Sequence, residues 1–179
     1  MMKRIFLAVP VTQKIIRELA KEIERLKKSL PDWEIKWVTP ENLHITLVFF
    51  GWVKEDQIKN LKTEIEALVP KSTPFQITTG KLFLKVRPLW LEIEQGREEL
   101  NRLAEEIGHQ LTIKGSLKEE RGFYPHLTLG RVKKRGKIKL PLVHEEFSWK
   151  ANRLVLYESR FVRKQRVYEE LFPFPLKGN

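Results

Sequence analysis

The stretch "NLHITLVFFG", residues 42–51, sets a histidine and a threonine two positions apart inside an otherwise apolar run, and "YPHLTLGRV", residues 124–132, repeats the order. Both runs are rich in β-branched and aromatic residues, which predicts strands that begin at His44 and His126. Side chains alternate faces along a strand, so His44 and Thr46 share one face while Ile45 and Leu47 anchor the other. The same parity joins His126 to Thr128, and Leu127 to Leu129. Each strand then presents an imidazole beside a hydroxyl, and a cleft between the two strands would bring four polar groups together. The two tetrads stand 82 positions apart, each near a long helical segment, which suits two similar lobes that supply one motif each.

Three segments carry helical periodicity. In residues 12–30, Ile15, Ile16, Leu19, Ile23 and Leu26 recur at steps of three or four, with Thr12 placed to cap the start and Pro31 after the end. Residues 54–69 and 97–113 repeat the pattern. Between and after them lie the strand-like runs "RIFLAV", "EIKWV", "FQITTGKLFLK", "LWLEIEQ", "RLVLYESRFV" and "RVYEELFPF". Interspersed elements with hairpin pairs and few crossovers predict an α+β fold with mainly antiparallel sheet. At 179 residues, with no Pro-, Gly- or Ser-rich linker, the chain reads as a single domain, 1–179. The basic segment 133–142, "KKRGKIKLPL", is the best candidate for a mobile connection.

Composition narrows the class further. The chain is 41% apolar and 32% charged, and no apolar run is long enough for a membrane helix, so no membrane association is expected. Zero cysteines exclude a disulfide framework and thiolate chemistry, and fit a cytoplasmic setting. The net charge of +11 is uneven: between Lys114 and Glu170 fifteen Lys or Arg face seven Glu and no Asp. Clustered cations of this kind suit a polyanion as partner, although a solvated basic surface has the same composition.

The repeated motif suits phosphodiester chemistry. Imidazole titrates near pH 6.5, so one histidine accepts a proton from the attacking hydroxyl while the other donates to the leaving oxygen. Threonine hydroxyls donate to nonbridging phosphate oxygens, and Arg131 adds a permanent cation with planar donors. Strict alternation puts Arg131 on the face opposite His126, so a bulge or the strand's end near Gly130 must re-aim it. A single tetrad arises by chance in roughly one chain of a hundred this long; two in matching apolar settings do not read as coincidence. Two histidines also begin a zinc set, but no cysteine or clear third ligand accompanies them. His109 and His144 read as surface residues. Trp37, Trp52, Phe123 and Tyr124 flank the motifs as stacking surfaces for a base or as core, and Arg121, Lys133, Lys134 and Arg135 as contacts for RNA or as solvated charge.

These residues resemble the 2H phosphoesterases, and within them the RNA 2',3'-cyclic phosphodiesterases first described as 2'-5' RNA ligases. The likeness runs from "RIFLAV" through "WVTPENLHITLVFFG" to "GFYPHLTLGR", so it covers essentially the whole chain. It implies two pseudo-symmetric lobes around a cleft with one His-x-Thr pair on each side, a monomer, and no metal or other cofactor. It also implies hydrolysis of a terminal RNA 2',3'-cyclic phosphate to a 2'-phosphate. His44 is then the acid on O3' and His126 the base on water, with Thr46, Thr128 and Arg131 on the phosphate. The residues themselves leave acid and base unassigned. Reversal with an incoming 5'-hydroxyl would make a 2'-5' linkage. A small-nucleotide phosphodiesterase and a noncatalytic RNA-binding module are the rival readings.

Overall fold

The first strand, β1 (Met2–Pro10), buries Ile5, Leu7 and Val9 on one face and Phe6 and Ala8 on the other, so it is covered on both sides. The computed structural model describes residues 1–69, 72–111, 123–143, 145–163 and 165–178. After β1 come α1 (Gln13–Ser29), β2 (Glu34–Trp37), a 3-10 turn (Pro40–Asn42), β3 (His44–Lys54), α2 (Glu55–Leu68), β4 (Phe75–Leu84) and β5 (Pro88–Gln95). Then follow α3 (Arg97–Gln110), β6 (His126–Lys134), β7 (Ser148–Ala151), β8 (Arg153–Val162) and β9 (Gln165–Pro175).

The strands form two antiparallel sheets, ordered β3-β1-β8-β9 and β2-β6-β5-β4-β7. Set β2 aside and the orders correspond strand for strand. In each lobe a motif strand (β3 or β6) pairs with the strand that precedes a long helix (β1 before α1, β5 before α3). The expected α+β fold with two similar lobes is therefore what the topology shows. One buried core joins them, with Ile5, Leu7 and Ile45 of the first sheet in the same cluster as Leu91, Leu127 and Leu129 of the second. Helix α1 adds Ile15, Leu19, Ile23 and Leu26, all buried as their spacing requires; each such side chain stabilises the fold by about 1.5–3 kcal/mol.

Four local expectations are corrected. Thr12 occupies the N-cap position of α1, but its hydroxyl makes no capping bond, and it is the Thr12 carbonyl that takes the Ile16 N–H. Helix α3 stops at Gln110 with Leu111 as its C-cap, short of the expected residue 113; residues 112 and 113 lie outside those described. Strand β7 was not foreseen, because four residues carry little periodic signal; they become a strand by pairing with β4 from Phe75 opposite Ala151 to Thr78 opposite Ser148. The basic segment after β6 is tied down: the Asp32 carboxylate accepts the N–H of Lys137 at 2.5 Å and of Ile138 at 3.2 Å, and Trp33 Nε1 donates to the Ile138 carbonyl.

Register in β6 decides where Arg131 points. Pro88, Trp90 and Glu92 of β5 stand opposite Arg131, Thr128 and His126, while Leu89 and Leu91 stand opposite Gly130 and Leu127. Leu129 is left as the extra residue of a bulge, which reverses the alternation and brings Arg131 to the face of His126 and Thr128. Gly130 fits this crowded turn because a Cβ there would lie 2.8 Å from Ile35 Cγ2. Replacing Gly130 by Ala is expected to push β2 off the bulge and cost about 1–3 kcal/mol, read as a lower urea midpoint with an unchanged slope; full wild-type stability would show that the close packing is unimportant.

Candidate active site

Each histidine is held by the chain that leads into it. His44 Nδ1 lies 2.7 Å from the Asn42 carbonyl, and His126 Nδ1 lies 2.7 Å from the Tyr124 carbonyl. A carbonyl only accepts, so both Nδ1 atoms carry hydrogen, and Nε2 is the atom that gains or loses a proton in each ring. Thr46 Oγ1 stands 2.9 Å from His44 Nε2. The two imidazoles thus share one tautomer and one supporting geometry, set by a carbonyl two residues upstream.

Beneath each imidazole lies an aromatic floor. In the first lobe Phe6 and Tyr168 approach the His44 ring at centroid distances of 4.9 and 5.0 Å, and Phe6 stacks on Tyr157. In the second lobe Trp90 lies 4.4 Å from the His126 ring, with Phe83 and Tyr124 alongside Trp90. Burial among these rings pushes the His44 pKa down to about 4, against the hydrogen bond to Asn42, and the charge of His126 lowers it further. Strand β3 lies against β6, so the two motif strands meet where the sheets join.

Asn42 has a second role. Its side-chain amide donates to the Arg166 carbonyl at 2.8 Å and accepts the Tyr168 N–H at 3.3 Å, so it pairs with the outer edge of β9 as a neighbouring strand would. β3 and β9 are opposite edges of one sheet, so this clasp curls the sheet around Phe6, His44 and Tyr168. Around Tyr168 three guanidinium groups gather. Burial raises its phenol pKa, while Arg166, Arg131 and Arg4 act in the opposite sense. Arg131 comes from the second lobe and Tyr168 from the first.

The flanking residues divide. Tyr124 is partly exposed; its hydroxyl donates to Glu92 at 2.6 Å and its ring lies under Arg97. Trp37 and Phe123 pack against the main core. Lys133 pairs with Glu34 on the surface, and Arg121 and His144 lie outside the described residues. His109 is exposed. Among the described residues no group of three or more His, Cys, Asp or Glu is placed to hold a metal ion, and no helix is long and apolar enough to cross a membrane. Sequence reasoning missed Asn42, Tyr168, Trp90 and the arginines Arg4 and Arg166. Alternation in "RIFLAV" does put Arg4, Phe6 and Ala8 on one face, but Tyr168 is reachable only through sheet order.

Residues 16–162 match the family model of the 2'-5' RNA ligase superfamily. The chain is similar to the RNA 2',3'-cyclic phosphodiesterase of Bacillus subtilis, with 33% identity over 96% of this chain and 95% of the relative. It is also similar to the protein of that name from Methanocaldococcus jannaschii, with 32% identity over 93% and 96%. The solved structure of Escherichia coli LigT complexed with 3'-AMP superposes with a TM-score of 0.84 and 27% identity, covering 98% of this chain and 99% of that one. With both motifs, the paired sheets and most of its length in common, the chain belongs to the 2'-5' RNA ligase superfamily, the 2H phosphoesterases that its motifs resemble.

Proposed function

We propose that this chain is an RNA 2',3'-cyclic phosphodiesterase that opens cyclic phosphate ends to 2'-phosphates without a metal. The observation that carries the reading is the matched pair of imidazoles, each fixed through Nδ1 by a backbone carbonyl and each beside a threonine on the same strand face. The names of the relatives agree with it. Residues 1–179 work as one two-lobed domain, supported by the shared core. Both motifs come from one chain, so a single copy suffices, acting as a cytoplasmic monomer.

The cyclic phosphate sits between the motif strands, its nonbridging oxygens taking hydrogen bonds from Thr46, Thr128 and Arg131. His126 Nε2 accepts a proton from water as the water oxygen bonds to phosphorus. The P–O3' bond breaks, and His44 Nε2–H protonates O3', leaving a 2'-phosphate and a 3'-hydroxyl. His126 ends protonated and His44 neutral, and exchange with water restores both. With a pKa near 4 the free His44 is neutral at pH 7, so it becomes an acid only when the anionic phosphate arrives and favours the imidazolium. On the second lobe, the exposed rings of Phe83 and Tyr124, which flank the buried Trp90, offer the terminal base a stacking face. Lys133 and Arg121 are further RNA contacts in this reading, and Trp37 and Phe123 wall the base side from the core.

Hydrolysis of a 2',3'-cyclic-phosphate oligonucleotide is expected to persist in excess chelator and to give a 2'-phosphate end. Its rate should show a bell-shaped pH dependence and fall by roughly 10²–10⁴ in His44→Ala or His126→Ala; chelator inactivation would reject the metal-free scheme. By nuclear magnetic resonance, His44 of the free protein should titrate near pH 4, and saturation with inorganic phosphate should move that midpoint upward by more than one pH unit. An unmoved midpoint would remove His44 from the phosphate site.

A further inference from the structure

The β8–β9 ladder runs on beyond the stretch of β8 that pairs with β1. The β1–β8 pairing ends at Ile5 opposite Glu158, whereas the β8–β9 ladder continues to Val162 opposite Gln165. Parity carries the concave face of the sheet out along this ribbon. Tyr157 stacks on Phe6 in the floor beside His44, so Ser159 and Phe161 face the same way, opposite Tyr168 and Arg166 respectively. Phe161 is 65% exposed, and the Arg166 guanidinium lies 4.5 Å from its ring centre.

Exposure of one aromatic is ordinary on a protein surface, but an arginine stacked on Phe161 makes a flat cationic platform. Arg166 Nη1 also donates to Ser159 Oγ at 2.9 Å, which fixes the guanidinium in that pose. The Asn42 clasp holds the Arg166 carbonyl against the turn that delivers His44, so the platform stands at the mouth of the site. Arg166 is two residues from Tyr168, about 7 Å along the strand, which is one step beyond the ring that touches His44. Arg4 on β1, whose charge is felt at Tyr168, and Arg163 at the hairpin turn add positive charge to the lobe.

We propose that this hairpin is an RNA-binding arm for the nucleotide next to the cyclic phosphate end, its phosphodiester held by Arg166 and Arg4 and its base stacked on Phe161. This rests on the reading of the cleft given above and adds to it a subsite outside the acid and base pair. Cationic and aromatic groups on one face suit a single-stranded nucleic acid, which every base can join through its π face. A protein partner would have no use for a platform aligned with the catalytic histidines.

The test compares a dinucleotide and a mononucleotide that both end in a 2',3'-cyclic phosphate, at one salt concentration. The wild type should prefer the dinucleotide in kcat/KM. Phe161→Ala should cut that preference about tenfold, the effect of losing one base–aromatic stack, while changing mononucleotide hydrolysis less than twofold; Phe161→Tyr should restore it. Arg163→Asn, a residue type that tolerates the positive φ of 47° there, should weaken the salt dependence for longer oligonucleotides only. Equal efficiency on both substrates, or an unchanged preference in Phe161→Ala, overturns the arm and leaves the cleft reading intact. Hydrolysis of neither substrate counts against the cleft reading; in that event affinities of the wild type and Phe161→Ala for 2'-phosphorylated dinucleotide and mononucleotide, by calorimetry, decide the arm without turnover.

Discussion

The chemistry proposed for this molecule depends on two backbone hydrogen bonds, from His44 Nδ1 to the Asn42 carbonyl and from His126 Nδ1 to the Tyr124 carbonyl. A free imidazole samples two tautomers and several ring orientations, and either freedom would spoil a pair proposed to pass protons to and from the oxygens around one phosphorus centre. A carbonyl acceptor removes both freedoms at once. Because the acceptor is two residues upstream on the same chain, the strand entry itself sets the ring, and the rest of the fold has only to bring two such entries face to face. At Asn42 the same residue also clasps the edge of β9, so the curl of the sheet and the pose of the imidazole are mechanically joined.

The environments built around the two rings follow from the same economy of parts. Aromatic floors exclude water and hold the imidazoles from below, at Phe6 and Tyr168 in one lobe and at Trp90 in the other. Exclusion of water disfavours a charged imidazole, which is why His44 sits well below its ordinary range. Arg4, Arg131 and Arg166 add positive charge that is felt at Tyr168, the ring beside His44. An anionic ligand therefore meets a site that is neutral at its floor and positive at its walls, where charge is strengthened by low local dielectric.

Much of the fold was legible because its signals are local. The amphipathic stripe of α1 and the alternation of β1, β3, β6, β8 and β9 each follow from residues a few positions apart. The bulge near Gly130 was a requirement deduced from parity, and the register supplies it at Leu129. What stayed hidden was non-local. Strand β7 exists only because the edge of β4 is free to receive it. The expected mobility of the basic segment after β6 failed because Asp32 and Trp33, over a hundred positions away, take up its backbone groups.

What the chain's order of residues settles is which polar side chains share a face, since a period of two along a strand is enough to join His44 to Thr46 and His126 to Thr128. Only the tertiary structure decided what stands around them. The placing of Tyr168 beside His44, of Arg131 on the face of His126 and of Phe161 against Arg166 depends on strand order, register and the curl of a sheet. Those are properties of contacts between residues far apart in the chain, and no local pattern encodes a distance that folding alone creates.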